Sequence, residues 1–176
     1  KEKKKERKKH IIEWTAYAIV LVALYISFHF IWMIGKIPSE SMEPTLMVHD
    51  WTIGSRTIYK DELPKRGDIV IFYSDEEQET MVKRVIGLPG EKITFVGGHV
   101  YVNGERLDES AYLDDSVVTD PGDQDEFVVP DGCIFVLGDN REVSYDARYW
   151  ENPYISQDKI QSDVEVVIPF HKLPWF

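Results

Sequence analysis

Residues 92–104 of this 176-residue chain read KITFVGGHVYVNG and carry its clearest secondary-structure pattern. Apolar residues alternate with others along Lys92–Val96 and again along His99–Asn103, as expected for strands with one buried face. Gly97 and Gly98 lie between the two segments, and both central positions of a tight hairpin turn favour residues that accept positive φ. The stretch therefore predicts an antiparallel β-hairpin.

The same kind of pattern extends outward from this hairpin. Short segments rich in Val, Ile, Phe and Tyr are separated by Gly, Pro and Asp, and no long helix is evident after residue 36. The further predicted strands are Trp51–Ile58, Asp68–Tyr73, Thr80–Ile86, Glu126–Val129, Cys133–Leu137 and Asp163–Ile168. Residues 36–176 are therefore expected to form one all-β domain with a sizeable core.

Residues 105–125, called the acidic segment below, interrupt the strands with many carboxylates, Pro121-Gly122 and little periodicity. The segment is predicted to be a solvated excursion between strands. A calcium site is the alternative, but the twelve-residue loop with its central glycine is missing, so no metal site is predicted.

The single cysteine, Cys133, cannot form a disulfide within one chain and is predicted to be a buried strand residue.

Before the β-rich part, residues 14–35 (WTAYAIVLVALYISFHFIWMIG) form a run of 22 residues without a formal charge. As a helix this run spans roughly 33 Å, against about 30 Å for the hydrocarbon core of a bilayer. A cleaved signal peptide is the alternative, but its apolar stretch would be only about 7–15 residues long. We therefore predict a transmembrane anchor over residues 14–35.

Charge is distributed unevenly around this anchor. Residues 1–9 hold seven basic residues against Glu2 and Glu6, a balance of +5, so the remainder of the chain, whose total is -11, carries -16. Basic residues flanking a span stay in the cytoplasm. The sequence therefore predicts a cytoplasmic tail over residues 1–13 and an extracytoplasmic domain over residues 36–176, and its acidic character disfavours nucleic-acid binding.

Residues 37–46, IPSESMEPTL, are called the serine segment below and begin just after the predicted anchor. Pro38 and Pro44 favour an extended backbone that presents Ser39 and Ser41. A serine-rich stretch beside a membrane is usually a linker, so a catalytic serine needs a base elsewhere. The chain has no G-x-S-x-G elbow, and His10 and His29 lie in the predicted tail and anchor, which disfavours a Ser-His-Asp triad.

Lys83 is the alternative base. The period of two places it on the same strand face as Met81 and Val85, which predicts burial. An ordinary lysine has a pKa of about 10.4, and lowering it by about three units costs roughly 4 kcal/mol, which desolvation can impose. The alternative is a lysine that reaches solvent or pairs with an acid.

Further along, residues 137–150 (LGDNREVSYDARYW) predict a buried polar network after an apolar strand.

Four segments together, IPSESMEPTL, GDIVIF at 67–72, KRVIGLPGE at 83–91 and GDNREVSYDAR at 138–148, resemble bacterial type I signal peptidases in their short, Gram-positive-like form. The resemblance implies a signal-peptidase-like coiled β fold behind one transmembrane helix. It implies a serine endopeptidase without metal or cofactor that cleaves signal peptides from exported preproteins at the outer face of the cytoplasmic membrane. Its partners would be preproteins and membrane lipid but no nucleic acid, and a monomer is expected.

The resemblance also implies roles for single residues. Ser41 would be the nucleophile and Lys83 the general base, while Ser39 and the Ser41 N–H would form the oxyanion hole. The supporting residues would be Ser144, Asp146 and Arg148, and the walls of pockets for an Ala-x-Ala site would be Ile37, Leu46, Met81 and Val82. Two positions depart from the family pattern: Ala147 stands where serine is common, and Glu40 where glycine is also common.

Three other classes of protein remain as alternatives. A self-cleaving repressor-type peptidase shares the Ser/Lys pair, but the anchor and the acidic domain disfavour it. A sortase needs a reactive cysteine, whereas Cys133 lies in an apolar strand. The third alternative is a catalytically silent, membrane-anchored β-domain that binds partners, in which Ser41 and Lys83 are dispensable.

Overall fold

A computed structural model describes residues 2–60 and 62–172. Its first element, α1, is a 30-residue helix over Glu2–Ile31. Residues 3–31 are long and apolar enough to cross a membrane, as judged by length and composition, and their side chains are almost all exposed. Residues 173–176 of the predicted β domain lie outside the described part of the chain.

The helix ends before the predicted anchor does. Residues Trp32–Lys36 form strand β1, which pairs antiparallel with β2, Trp51–Ser55. The Arg56 backbone N–H donates to the Ile31 carbonyl oxygen at 2.7 Å, which joins the helix end to this sheet. An apolar run cannot by itself distinguish helix from strand, and here a partner strand is available to the last residues of the run.

Ten further strands complete the domain. They are β3 Ile69–Ser74, β4 Glu79–Gly87, β5 Lys92–Val96, β6 His99–Val102, β7 Glu105–Arg106, β8 Glu126–Val128, β9 Cys133–Leu137, β10 Tyr154–Ser156, β11 Ile160–Asp163 and β12 Val166–Ile168. The described strands form three antiparallel sheets, ordered β1-β2-β12, β10-β9-β4-β3-β11 and β7-β6-β5-β8. The expectation of an all-β domain behind one N-terminal helix is confirmed.

The predicted hairpin is confirmed, with β6 ending at Val102, one residue before the predicted end at Asn103. Strands β5 and β6 pair with Val96 opposite His99, so that Gly97 and Gly98 form the turn. Their φ angles are 59° and 83°, in the left-handed region that glycine occupies without strain. Strand β9 also has the predicted bounds.

One strand prediction is wrong. Residues 163–168 do not form a single strand, because β11 ends at Asp163 in the five-stranded sheet and β12 starts at Val166 in the three-stranded sheet. The chain crosses between sheets close to Gly54, where a β-carbon would lie only 1.8 Å from the Asp163 carbonyl oxygen. The Asp163 carboxylate also accepts a hydrogen bond from the Ser55 N–H at 2.6 Å. Contacts of this kind leave no periodic signal in the sequence.

The main core is contributed by the five-stranded and four-stranded sheets, and it includes the ring contacts of Phe127 with Phe95 and Phe135. Cys133 packs at the edge of this core and is half-buried rather than fully buried. A second, smaller core lies under the serine segment. It consists of Ile37, Met42 and Leu46, with Ile69, Val82 and Val164 packed against it.

Candidate active site

The serine segment is anchored by its apolar residues and exposes its hydroxyls. Ile37, Met42 and Leu46 are buried, while a short 3-10 turn runs over Glu40–Met42. Ser39 is exposed and Ser41 is half-buried, with their Oγ atoms 3.3 Å apart. Burial of the flanking apolar side chains therefore fixes the backbone on which the predicted nucleophile stands.

Lys83 lies in β4, opposite Val70 of β3, and is only 2% exposed. Burial lowers the pKa of its ammonium group from 10.5 to about 8, and the negative charges of Asp146 and Glu79 offset only part of this effect. Within residues 2–60 and 62–172 the Lys83 side chain forms no salt bridge. The alternative of a solvated or acid-paired lysine is thus wrong.

Residues 138–148, called the GDNR loop below, hold the serine segment directly. The Asn140 N–H donates to the Ser41 carbonyl oxygen at 3.0 Å, and the Asn140 side-chain amide donates to the Glu40 carbonyl oxygen at 3.1 Å. A β-carbon on Gly138 would lie 2.4 Å from the Ser41 carbonyl oxygen and 2.1 Å from Ser144 Oγ. Glycine at 138 therefore permits the two loops to come into contact.

Ser144 reaches the site from the same loop. Its side chain is buried, and its Oγ has no hydrogen-bond partner among the residues that the structure describes. An unpaired buried hydroxyl is costly, so such an atom is a candidate for a functional role. The predicted supporting serine is thus next to Gly138 and close to the Ser41 backbone.

Asp146 and Arg148 tie the two ends of the GDNR loop together. Arg148 donates to Asp146 from Nε at 2.8 Å, and both side chains are fully buried. Asp146 Oδ2 accepts from the Gly138 N–H at 2.8 Å, while Arg148 Nη2 donates to the carbonyl oxygens of Arg141 and Ser144. The predicted supporting pair is therefore placed to stabilise the loop. Ala147 is also buried, within the main core.

Sequence reasoning did not identify the ion pair between Arg84 and Asp139. Arg84 follows Lys83 in β4 and donates to the two Asp139 carboxylate oxygens at 2.8 and 2.6 Å. Thr45 of the serine segment donates its hydroxyl to the same carboxylate. Arg84 thus links the lysine strand, the GDNR loop and the serine segment. In the sequence, this ion pair is indicated by position alone: Arg84 follows Lys83, and Asp139 follows Gly138, within the motif segments at 83–91 and 138–148.

The acidic segment runs from β7 to β8 and is largely exposed, as predicted, but some of its residues also contact the site. Thr119 is buried, and Glu109 forms an ion pair with the buried Arg141 of the GDNR loop. The ring of Tyr112 lies 3.9 Å from the Arg84 guanidinium carbon. The polar composition of the segment does not predict these contacts, because the partners lie far along the chain.

Among the described residues, no group of three or more acidic, histidine or cysteine side chains is arranged to hold a metal ion.

The predicted pocket residues are divided between the two cores. Ile37 and Leu46 are buried in the small core under the serine segment, where Val82 packs against them. Met81 packs instead against the main core, as expected for neighbours on opposite faces of β4. A common substrate pocket lined by all four stays a prediction.

Comparison with known proteins agrees with this arrangement. A family model described as "Signal peptidase, peptidase S26" matches residues 9–169. Signal peptidase I P of Bacillus subtilis subsp. natto is 31% identical over 179 residues, covering 98% of this chain and 97% of the relative. Signal peptidase IB of Staphylococcus aureus (strain COL) is 35% identical over 173 residues, covering 89% and 88%.

A probable signal peptidase I-2 of Synechocystis sp. is 42% identical over 120 residues, or 65% of this chain. The matched part is 53% of that relative and 58% of the signal peptidase I of Leptolyngbya laminosa, so the chain spans little more than half of these two proteins. The family match nevertheless covers nearly all of the chain, from α1 to β12. The chain belongs to the signal peptidase family, peptidase S26.

Proposed function

We propose that this chain is a serine endopeptidase that removes N-terminal signal peptides from exported preproteins, with Ser41 as nucleophile and Lys83 as general base. The observation that carries the proposal is the burial of Lys83, which forms no salt bridge in the described part of the chain and whose pKa of about 8 makes a neutral amine accessible near physiological pH. The serine segment, held by the GDNR loop, would supply the hydroxyl, and its 3-10 turn at Glu40–Met42 lies close to β4, the strand of Lys83.

In this reaction Ser41 Oγ attacks the scissile carbonyl carbon while neutral Lys83 takes the hydroxyl proton. The resulting ammonium then protonates the leaving amine as the C–N bond breaks, which leaves an acyl group on Ser41. Water attacks this ester, again with Lys83 as base, and releases the signal peptide with a free carboxylate. The Ser41 N–H and the Ser39 hydroxyl would donate to the oxyanion; Ser39 is exposed, and its Oγ lies 3.3 Å from Ser41 Oγ.

Ser144 would hydrogen-bond Lys83 in this mechanism. Its hydroxyl is buried without a partner among the described residues, and it comes from the loop that contacts the Ser41 backbone. Asp146 and Arg148 would act through that loop, because their ion pair holds Gly138 and the Ser144 carbonyl. These residues are therefore proposed as positioning residues. No step of the proposal uses a metal or an organic cofactor.

The membrane would bring enzyme and substrate together. Helix α1 carries the basic residues of its first turns at one end, and Ser41 follows the other end, Ile31, by ten residues. With the basic end in the cytoplasm, the domain would lie on the outer face, where the cleavage site of a membrane-inserted signal peptide emerges. Small residues before the cut would enter shallow apolar pockets with walls drawn from Ile37, Leu46, Met81 and Val82.

The test is cleavage of a preprotein by the full chain in detergent or lipid. We expect Ser41→Ala and Lys83→Ala each to lower kcat/KM by at least about 1,000-fold, because each removes a member of a unit that acts together. Ser110→Ala is a matched control, since this serine is exposed and its hydroxyl donates to Asp108 in its own loop. Cleavage by all variants at the wild-type rate would contradict the assignment of Ser41 and Lys83, whereas no cleavage by the wild-type chain would favour the catalytically silent domain.

A further inference from the structure

We propose that Glu109 and Tyr112 of the acidic segment are positioning residues for the catalytic serine and lysine. The inference rests on the proposed function of Ser41 and Lys83. Neither Glu109 nor Tyr112 lies in any of the four motif segments, yet both contact arginines that do. Their role is to hold those arginines in the orientation that the site requires.

Glu109 is the counter-charge of Arg141. Its carboxylate accepts from Arg141 Nη2 and, at 3.2 Å, from Nη1, while the Tyr112 hydroxyl donates to it at 2.8 Å. The Arg141 side chain is fully buried and that of Glu109 is 13% exposed. A buried guanidinium that loses its partner is strongly unfavourable, so Arg141 depends on this carboxylate for its position.

Tyr112 connects Glu109 to the second arginine. The Arg84 guanidinium carbon lies 3.9 Å from the centre of the Tyr112 ring, a cation–π contact, while the phenol hydroxyl remains bonded to Glu109. Burial and the neighbouring carboxylate raise the pKa of Tyr112 above its usual range, so the hydroxyl stays a donor. Glu109 and Tyr112 thus form one bridge between Arg141 and Arg84.

Arg141 and Arg84 are each connected to Ser41 or Lys83 through one or two contacts. Arg141 Nε donates to the Gly138 carbonyl oxygen at 3.0 Å, and Gly138 packs against the Ser41 carbonyl and Ser144 Oγ. Arg84 is the residue after Lys83 and holds Asp139, which accepts from Thr45 of the serine segment. A shift of this bridge would therefore move the serine and lysine relative to each other.

Other carboxylates of the acidic segment serve as matched controls. Asp108 and Asp114 are fully exposed and accept hydrogen bonds from Ser110 and Ser116 in their own turns. They share the charge and the segment of Glu109, but among the described residues neither forms an ion pair with Arg141. Replacing them tests whether the acidic character alone matters.

The experiment compares Glu109→Gln, Tyr112→Phe and the controls Asp108→Asn and Asp114→Asn, in full chains cleaving a preprotein at a temperature where all are folded. We expect Glu109→Gln to lower kcat about 10- to 100-fold with KM within about twofold of wild type, because small displacements of reacting groups are costly while substrate binding is retained. Tyr112→Phe keeps the ring and should lower kcat by about 2- to 10-fold. The controls should stay within about twofold of wild type.

A double-mutant cycle with Arg141→Gln separates positioning from a general loss of stability. If Glu109 acts through Arg141, the two substitutions together should lower kcat by much less than the product of their single effects. Wild-type kcat in Glu109→Gln, or a loss explained by its unfolded fraction alone, would overturn the inference. Either outcome is distinguishable from failure of the proposed function, in which Ser41→Ala and Lys83→Ala would remain active.

Discussion

At the level of single residues, the proposed chemistry depends on the protonation state of Lys83. With a pKa of about 8, roughly a tenth of the Lys83 amines are neutral at pH 7, against fewer than one in a thousand for an ordinary lysine. The shift comes from loss of hydration, which the apolar strands around β4 impose. The same burial that would allow Lys83 to act as a base therefore sets the pH range in which the proposed mechanism operates.

The first prediction concerns the pH dependence of cleavage. Because only the neutral amine accepts the Ser41 proton, kcat/KM should rise about tenfold per pH unit below the pKa and level off above about pH 8. Initial rates of preprotein cleavage between about pH 5.5 and 9.5, in buffers of constant ionic strength, measure this profile. Rates that stay constant down to pH 6 would contradict a lysine base.

How far single residues can be predicted depends on the range of their contacts. The position of Lys83 inside an apolar strand predicts its burial from local alternation, and the structure confirms it. The partners of Arg84 and Glu109 lie 55 and 32 positions away. Local periodicity carries no information about such pairs, so the bridge beneath the site could not be derived from the sequence.

At the level of elements, predictions succeeded where a local pattern sufficed. The hairpin of β5 and β6 follows from alternation and Gly97-Gly98, and β9 follows from an apolar run with clear ends. The end of α1 and the separation of β11 from β12 were missed, because both depend on which strand is available as a partner. Sheet pairing, rather than propensity, determines those boundaries.

The second prediction concerns the contact between the serine segment and the GDNR loop. In Gly138→Ala the new β-carbon would meet the Ser41 carbonyl oxygen at 2.4 Å and Ser144 Oγ at 2.1 Å, so the loops must separate. We expect kcat to fall at least about 10- to 100-fold and the free energy of unfolding to fall by about 1–3 kcal/mol. Preprotein cleavage and urea denaturation in detergent measure the two effects.

Ser144→Ala provides the control for this prediction. Removing the Ser144 hydroxyl relieves one of the three close contacts but leaves those with the Ser41 carbonyl oxygen, at 2.4 Å, and with the Ser144 β-carbon, at 2.5 Å. Gly138→Ala combined with Ser144→Ala should therefore remain at least as impaired as Ser144→Ala alone. Recovery of wild-type kcat in the double variant would show that the loops are not held at this distance.

At the level of the whole molecule, the buried Lys83 is expected to reduce the free energy of unfolding. The difference between a pKa of about 8 in the folded protein and 10.5 for an unperturbed lysine corresponds to about 3 kcal/mol. Between these two pH values the unfolded chain binds more protons than the folded one, so the free energy of unfolding rises with pH. Below about pH 8 the charged amine is buried and the full penalty is present; above 10.5 it is gone.

The third prediction follows from this linkage. Lys83→Met removes the buried charge and keeps an apolar side chain of similar length, so at pH 7 it should raise the free energy of unfolding by about 1–3 kcal/mol while abolishing cleavage. It should also flatten the rise in the free energy of unfolding between about pH 8 and 10.5.

Lys92→Met, at an exposed lysine paired with Glu126, is the control and should change the free energy of unfolding by less than about 0.5 kcal/mol. Urea denaturation in detergent at pH 7 and pH 10 measures both effects. A Lys83→Met protein that is less stable than wild type at pH 7, with the same dependence on pH, would mean that Lys83 is not held in the folded domain at a depressed pKa.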